Sequence, residues 1–143
     1  NLISETPIQQ AMEGVDTIMV GGAGKSADRN IFKLKGDGIT NTPTTTVLDG
    51  TNLYIWGIDQ ANDVIDLKEY ISASSTAANN ADKLLDFKTQ MISKVTINDA
   101  ANSKFNVNLD NDGAHELTIH FMGMGTPVSE VSLEEMIARA YLS

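Results

Sequence analysis

Two segments of alternating apolar and polar residues in the last third of the chain constrain the fold most strongly. The apolar positions, which fall at every second residue, are Phe105, Val107, Leu109, Leu117, Ile119 and Phe121. An Asp-Asn-Asp-Gly stretch at 110–113 lies between them, and these residue types tolerate the positive φ angles of tight turns. The pattern predicts a β-hairpin over residues 104–122 with one apolar face.

Shorter elements surround this hairpin. β-Favouring residues at 17–20, 31–34 and 53–56, set among glycine-rich and polar stretches, predict three brief strands. Together with the hairpin they predict a mainly β domain, a compact β-sandwich or flattened β-roll with two or three peripheral α-helices.

Three segments have helical features. Asp66 is positioned to cap a short helix over 66–71, and residues 72–80 are small, polar and typical of a loop. Helical spacing over 82–93 predicts a second helix, whose apolar stripe includes Leu85. Ser132 and Glu135 have the spacing of a capping box, so a terminal helix is expected over 132–142.

Composition narrows the class of protein. The 143 residues, 41% of them hydrophobic, are typical of a single domain. Acidic residues outnumber basic ones 19 to 10, and this net charge of −9 disfavours nucleic acid and anionic membranes as partners and favours a monomer. The absence of cysteine excludes disulfides and thiolate sites. Neither a membrane-spanning apolar run nor a cleavable secretory signal is recognisable.

A glycine-rich segment offers one set of candidate metal ligands. Glycines such as Gly22 and Gly24 allow successive carbonyls to turn toward a common point, and Asp16 and Asp28 flank the segment. Calcium takes its ligands from carbonyl and carboxylate oxygens. A structural glycine turn explains the same residues and stays the alternative. A phosphate-binding loop is disfavoured, because the lysine follows the glycines without the usual spacer.

Carboxylates at two further places are candidate ligands. Asp110 and Asp112 belong to a stretch that matches the first half of an EF-hand loop, but the twelfth position is Ile119, so this is no EF-hand. The choice there lies between an Asp-rich turn and a weak cation site. Asp59 and Asp63 follow the strand at 53–56 and repel each other unless hydrogen-bonded or bridged by a cation.

Little in the sequence points to catalysis. His115 and His120 lie on the same hairpin without a recognisable third zinc ligand, so a structural or solvent-facing role is favoured for both. No nucleophile–base pair is evident, and we expect no enzymatic activity. Tyr54 and Trp56 share one face of a strand, where core packing is the stronger expectation and a carbohydrate-stacking platform is the alternative.

Taken in order, these segments resemble the C-terminal region of RTX proteins, the hemolysin-type calcium-binding adhesins and toxins that bacteria export by type I secretion. Residues 14–24 resemble the family's glycine–aspartate repeat, 56–67 its D-F-x-x-x-x-D-x-I-D-L segment, 108–113 its D-x-D-G-D-G hairpin, and 132–137 its terminal acidic-leucine helix. The likeness extends over residues 12–143. The repeat over 14–38 occurs once and is degenerate, with Ser26 in place of a ligating aspartate, so a long parallel roll is not expected.

The resemblance implies a non-catalytic end domain that binds calcium and acts as a secretion target and extracellular folding cap. The implied calcium ligands are Asp16, Gly22, Gly24, Asp28, Asp110 and Asp112, together with Asp59 and Asp63. The implied partners are a type I ABC transporter with its adaptor and outer-membrane channel, and a host or biofilm surface. The implied location is extracellular or on the bacterial cell surface. The alternative function is a carbohydrate- or surface-binding module that uses Tyr54 and Trp56.

Overall fold

The computed structural model describes residues 8–12, 17–20, 30–35, 51–94, 96–101, 103–108, 117–123 and 127–142. Within these ranges the strands are β1 (Ile8–Met12), β2 (Thr17–Val20), β3 (Ile31–Lys35), β4 (Thr51–Trp56), β5 (Val64–Asp66), β6 (Thr96–Ala101), β7 (Lys104–Asn108) and β8 (Leu117–Met122). The helices are α1 (Asn80–Lys94) and α2 (Glu130–Ala138), and α2 continues into a 3₁₀ turn at Arg139–Tyr141.

Successive strands from β1 to β6 alternate between two sheets. Sheet A has the order β1-β3-β5, and sheet B has the order β2-β4-β8-β7-β6. All pairs in sheet A are parallel, as are β2 with β4 and β4 with β8. Parallel neighbours need a long connection between them, and here a strand of the opposite sheet lies within each connection from β1 to β5. The chain therefore passes back and forth between the two sheets before it turns antiparallel.

The last strands form the antiparallel part of sheet B. β7 pairs with β8, in a register that places Phe105 opposite Ile119 and Val107 opposite Leu117. This pairing confirms the predicted hairpin strands, although the turn at 109–116 lies outside the described residues. β6 then pairs with β7, with a register shift between Asn98 and Ala101. Because side chains alternate across a strand, the apolar positions of β7 and β8 all face the interior.

One hydrophobic core joins both sheets and both helices. Strands β3, β4 and β8 contribute Phe32, Leu34, Leu53, Ile55, Leu117, Ile119 and Phe121. The helices contribute Phe87, Met91, Leu133, Met136 and Ile137. Because α1 and α2 fill the core, they are integral to the fold and not peripheral. The described residues thus form a small mixed α/β fold; they do not confirm the mainly β prediction, and the arrangement is not clearly a sandwich.

The predicted helix ends differ from those of the structure. α2 begins one turn earlier than expected, because the Oγ of Ser129 accepts a hydrogen bond from the Ser132 amide at 3.1 Å and so caps the helix. Ser132 is therefore inside the helix, and the capping box predicted there is wrong. α1 extends over Asn80–Lys94, and Leu85 of its predicted stripe is 62% exposed, whereas Phe87 is buried.

The short helix predicted over 66–71 is absent from the structure. The Asp66 carboxylate instead accepts a hydrogen bond from the Lys68 amide at 3.0 Å, and the Tyr70 and Ile71 amides both donate to the Leu67 carbonyl. These bonds make a single turn directly after β5. Among the helices of the described residues, none has the length and apolar character required to cross a membrane.

Candidate functional site

The loop at 57–63 carries the chain from β4 in sheet B to β5 in sheet A, and the buried Asp63 carboxylate organises it. One oxygen accepts from the Asn30 amide at 2.9 Å, and the other accepts from the Asp59 amide at 2.8 Å. The side-chain amide of Asn30 lies 3.4 Å from the first oxygen. Asp63 therefore ties the start of β3 to the loop that follows β4.

The two aspartates of this loop have opposite electrostatic environments. Burial raises the pKa of Asp63 above its usual 3.8, although hydrogen bonds from the Asp59 and Asn30 amides oppose the shift. The pKa of Asp59 is lowered, chiefly because the Asn62 side chain donates to its carboxylate at 2.8 Å. The Ala61 amide also donates to Asp59, at 3.0 Å. Both carboxylates thus have N–H partners from the protein.

The C-terminal segment holds the same loop from the other side. Nη1 of Arg139 donates to the Gln60 carbonyl at 2.8 Å and to the Asp63 carbonyl at 3.0 Å. Glu135, one helical turn earlier, lies 3.6 Å from Arg139 and 3.3 Å from Lys88 of α1. This arrangement fastens the last turn of the described chain to the connection between the sheets.

Tyr141 adds a second attachment for this segment. Its hydroxyl donates a hydrogen bond to the Ile71 carbonyl, and its ring packs against Phe87 of α1 with centroids 5.0 Å apart. Burial raises the pKa of Tyr141 to about 12, so the phenol is neutral and remains a donor over the physiological range. The C-terminal turn is therefore held by polar bonds at two separate loops.

Most of the predicted calcium ligands lie outside the described residues: Asp16, Gly22, Gly24, Asp28, Asp110 and Asp112. Asp59 and Asp63 are described, and the structure brings them together in one loop. Within the described ranges, no group of three or more His, Cys, Asp or Glu side chains is placed to hold a metal ion. Since N–H donors already bond both loop carboxylates, the loop at 57–63 has hydrogen bonds that stabilise it without a cation.

The outer face of sheet B carries the second candidate site, an aromatic and polar surface. Tyr54 stacks on His120 of the neighbouring strand, with ring centroids 4.4 Å apart and planes within 14°. His120 Nε2 lies 3.1 Å from the Asn52 side-chain oxygen. Trp56 follows on the same face and is 44% exposed. Core packing, the stronger expectation for Tyr54 and Trp56, is wrong, because Leu53 and Ile55 occupy the inward positions of β4.

His120 and Asn52 are the site residues that the sequence analysis missed. The sequence analysis favoured only a structural or solvent-facing role for His120, and nothing local indicated that β8 lies beside β4. The available signal was the period of two that both strands share. Once β4 and β8 pair in register, this period places residues 52, 54 and 56 beside residues 118, 120 and 122 on one face.

No known protein family, no curated protein and no solved structure matches this chain.

Proposed function

We propose that this chain is a non-catalytic, calcium-binding end domain of a secreted RTX adhesin or toxin, which acts as a type I secretion target and extracellular folding cap. Its fold in this proposal is a short, flattened β-roll closed by an antiparallel hairpin and two helices. Its partners are the ABC transporter, adaptor and outer-membrane channel of a type I export machine, and it works outside the cell, in solution or attached to the cell surface.

The alternation of β1 to β5 between sheet A and the parallel part of sheet B is the observation that carries the proposal. In a roll, each turn of the chain contributes one strand to each sheet, and the residues between strands form the bends. The glycine-rich segment, with Gly22, Gly24 and Asp28, occupies the connection from β2 in sheet B to β3 in sheet A. Asp16 immediately precedes β2.

The glycines and aspartates around β2 lie in connections between strands, where we expect oxygen ligands for calcium. Carbonyls from glycines and carboxylates from aspartates are the donors that calcium prefers, and a bound ion would offset part of the net charge of −9. Asp110 and Asp112, in the connection between β7 and β8, provide carboxylates at a second place. Asp59 and Asp63 have N–H partners, so we assign the main calcium sites to the other four aspartates.

The physics of export fits a chain of this kind. Calcium binds only the folded form and stabilises it by mass action. Where calcium is scarce, as in the cytosol, repulsion among the carboxylates lowers the stability of the fold, so the chain unfolds more readily for transport. Affinities of about 10⁻⁴–10⁻³ M are typical of extracellular calcium modules and suit this switch. The docked C-terminal turn, held by Arg139, would then complete the fold after export.

A secretion assay tests the proposal directly. Residues 1–143 fused to a cysteine-free passenger should direct export through a matched type I transporter, while the passenger alone, or the fusion with an ATPase-deficient transporter, should stay inside. Retention of the fusion with several matched transporters would refute the secretion role.

A second arm separates secretion from calcium binding. The combined variant Asp16→Ala, Asp28→Ala, Asp110→Ala and Asp112→Ala should still be exported, because recognition precedes folding, but the released protein should remain protease-sensitive in calcium. Wild-type protein that is equally sensitive with and without calcium would refute the folding switch.

A further inference from the structure

The outer face of sheet B has a composition unlike that of the chain as a whole. Its described side chains are Ile18, Asn52, Tyr54, Trp56, Lys104, Asn106, Asn108, Thr118, His120 and Met122. Among these described side chains, Lys104 is the only Lys, Arg, Asp or Glu, although the protein carries 19 acidic residues. A surface of rings, amides and hydroxyls is thus presented by an otherwise acidic protein.

Trp56 is the most prominent group on this face. It is 44% exposed, and a Cβ added at Gly123 would lie only 3.1 Å from its Cε3 atom, so the six-membered ring rests against this glycine. Gly123 and Gly57 both have positive φ, at 66° and 69°. The ends of β4 and β8 therefore meet beside the indole, and the absence of a side chain at Gly123 leaves room for the ring.

Polar groups lie in register beside the rings. The Thr118 hydroxyl donates to the Asn106 side-chain oxygen at 3.0 Å, next to the His120–Asn52 pair. One cross-strand row contains Ile18, Tyr54 and His120, and Ile18 is 69% exposed. The face therefore combines exposed apolar surface with a fixed set of hydrogen-bonding groups.

We propose that this face binds a neutral pyranose sugar of a glycan, with Trp56 as the stacking ring and Tyr54, His120 and Asn52 as its polar border. A pyranose has an apolar C–H face and a rim of hydroxyls, which complement an exposed aromatic ring flanked by amide and imidazole groups. The near absence of charge suits a neutral ligand. This inference is independent of the calcium and secretion proposals.

Two other kinds of ligand fit this face less well. A peptide that adds a strand to a sheet requires an open edge, but β4 lies between β2 and β8, so its main-chain groups already pair with neighbours. A nucleic acid would be repelled by the net charge of −9. The remaining competitor is a second copy of this chain, and the experiment includes it as an outcome.

Because Trp56 is the only tryptophan, tryptophan fluorescence reports on this face alone. Maltohexaose, cellohexaose, chitohexaose and mannohexaose are each titrated to millimolar concentration into the 143-residue protein, at two protein concentrations. We expect at least one to change the emission saturably and to protect the indole from acrylamide quenching. Affinity is then measured by calorimetry, where Trp56→Ala should weaken binding about 30-fold and Trp56→Phe much less.

Leu85→Ala provides the matched control, since Leu85 is a large apolar residue on α1 that is also exposed, at 62%. It should bind as the wild type does, and circular dichroism should show all three variants folded. The proposal is overturned if no sugar gives a saturable change, or if Trp56→Ala binds as tightly as the wild type. It is also overturned if the emission depends on protein concentration alone, which would make this face a self-association surface.

Discussion

Replacement of Arg139 by alanine tests whether the C-terminal turn locks the connection between the two sheets. The guanidinium donates two charge-assisted hydrogen bonds from Nη1, at 2.8 Å to the Gln60 carbonyl and at 3.0 Å to the Asp63 carbonyl. Its side chain is only 14% exposed, so water does not readily replace these bonds in the folded state. Arg139→Ala should therefore destabilise the protein through this loop.

The magnitude follows from the bonds lost. A hydrogen bond from a charged group contributes about 1.5–3 kcal/mol, and the two bonds here share one nitrogen, so their combined loss should cost about 2–4 kcal/mol. The ion pair with Glu135, whose carboxylate is one-third exposed, adds less than about 1 kcal/mol. With a urea m-value of about 2 kcal/mol/M, the unfolding midpoint should fall by about 1–2 M.

The assay is equilibrium unfolding in urea, followed by circular dichroism and by Trp56 fluorescence. Lys33→Ala is the matched control, since it removes a cation that lies 3.9 Å from Glu69 with both side chains 32% exposed, and its cost should be below about 1 kcal/mol. If Arg139→Ala shifts the midpoint no more than Lys33→Ala, the C-terminal turn does not lock the loop, and the reasoning fails.

Three further predictions follow from single residues. An NMR titration of the carboxyl groups should find a pKa above 3.8 for Asp63 and below 3.8 for Asp59. The contribution of Asp63 to stability is then lost as the pH rises through its raised pKa, whereas that of Asp59 is lost as the pH falls through its lowered pKa. Equal pKa values for the two aspartates would contradict this prediction. Ser103→Ala should lower the free energy of unfolding in urea by about 1–3 kcal/mol, because the buried Ser103 hydroxyl accepts a hydrogen bond at 3.0 Å from the Val128 amide, just before the cap of α2. An unchanged unfolding midpoint would exclude that role. Gly123→Ala should lower the free energy of unfolding by about 1–2 kcal/mol, because residue 123 has a positive φ, and it should also shift the emission of Trp56. A stable variant with unchanged emission would show that the indole does not rest against Gly123.

The sequence predicted strands wherever a local pattern was sufficient. The alternation around Phe105 and Leu117 predicted β7 and β8, because one face of each strand is buried. β5 was missed, since three consecutive buried residues give no alternation. The parallel pairing of β4 with β8 joins residues such as Leu53 and Ile119, and no local signal reports a contact of that sequence separation.

The candidate sites were predictable only in part. Tyr54 and Trp56 were recognised as sharing a face, but whether that face pointed inward depended on which neighbours covered it. The start of α2 could have been predicted from Ser129, because serine is a favoured cap residue. The capping-box spacing of Ser132 and Glu135 favoured the later start instead. Asp63 drew notice as a possible ligand, whereas its hydrogen bond to Asn30 depends on the long-range pairing of β3 with β5.

The most direct test of the central proposal is a thermal melt in EGTA, in about 5 mM calcium and in the same concentration of magnesium, since extracellular modules bind calcium at about 10⁻⁴–10⁻³ M. The account predicts a rise in Tm with calcium only, of several degrees, because calcium at about ten times its Kd stabilises the fold by about 1.4 kcal/mol. Alanine at Asp16, Asp28, Asp110 and Asp112 together should abolish the rise. The same Tm in EGTA and in calcium would contradict the account.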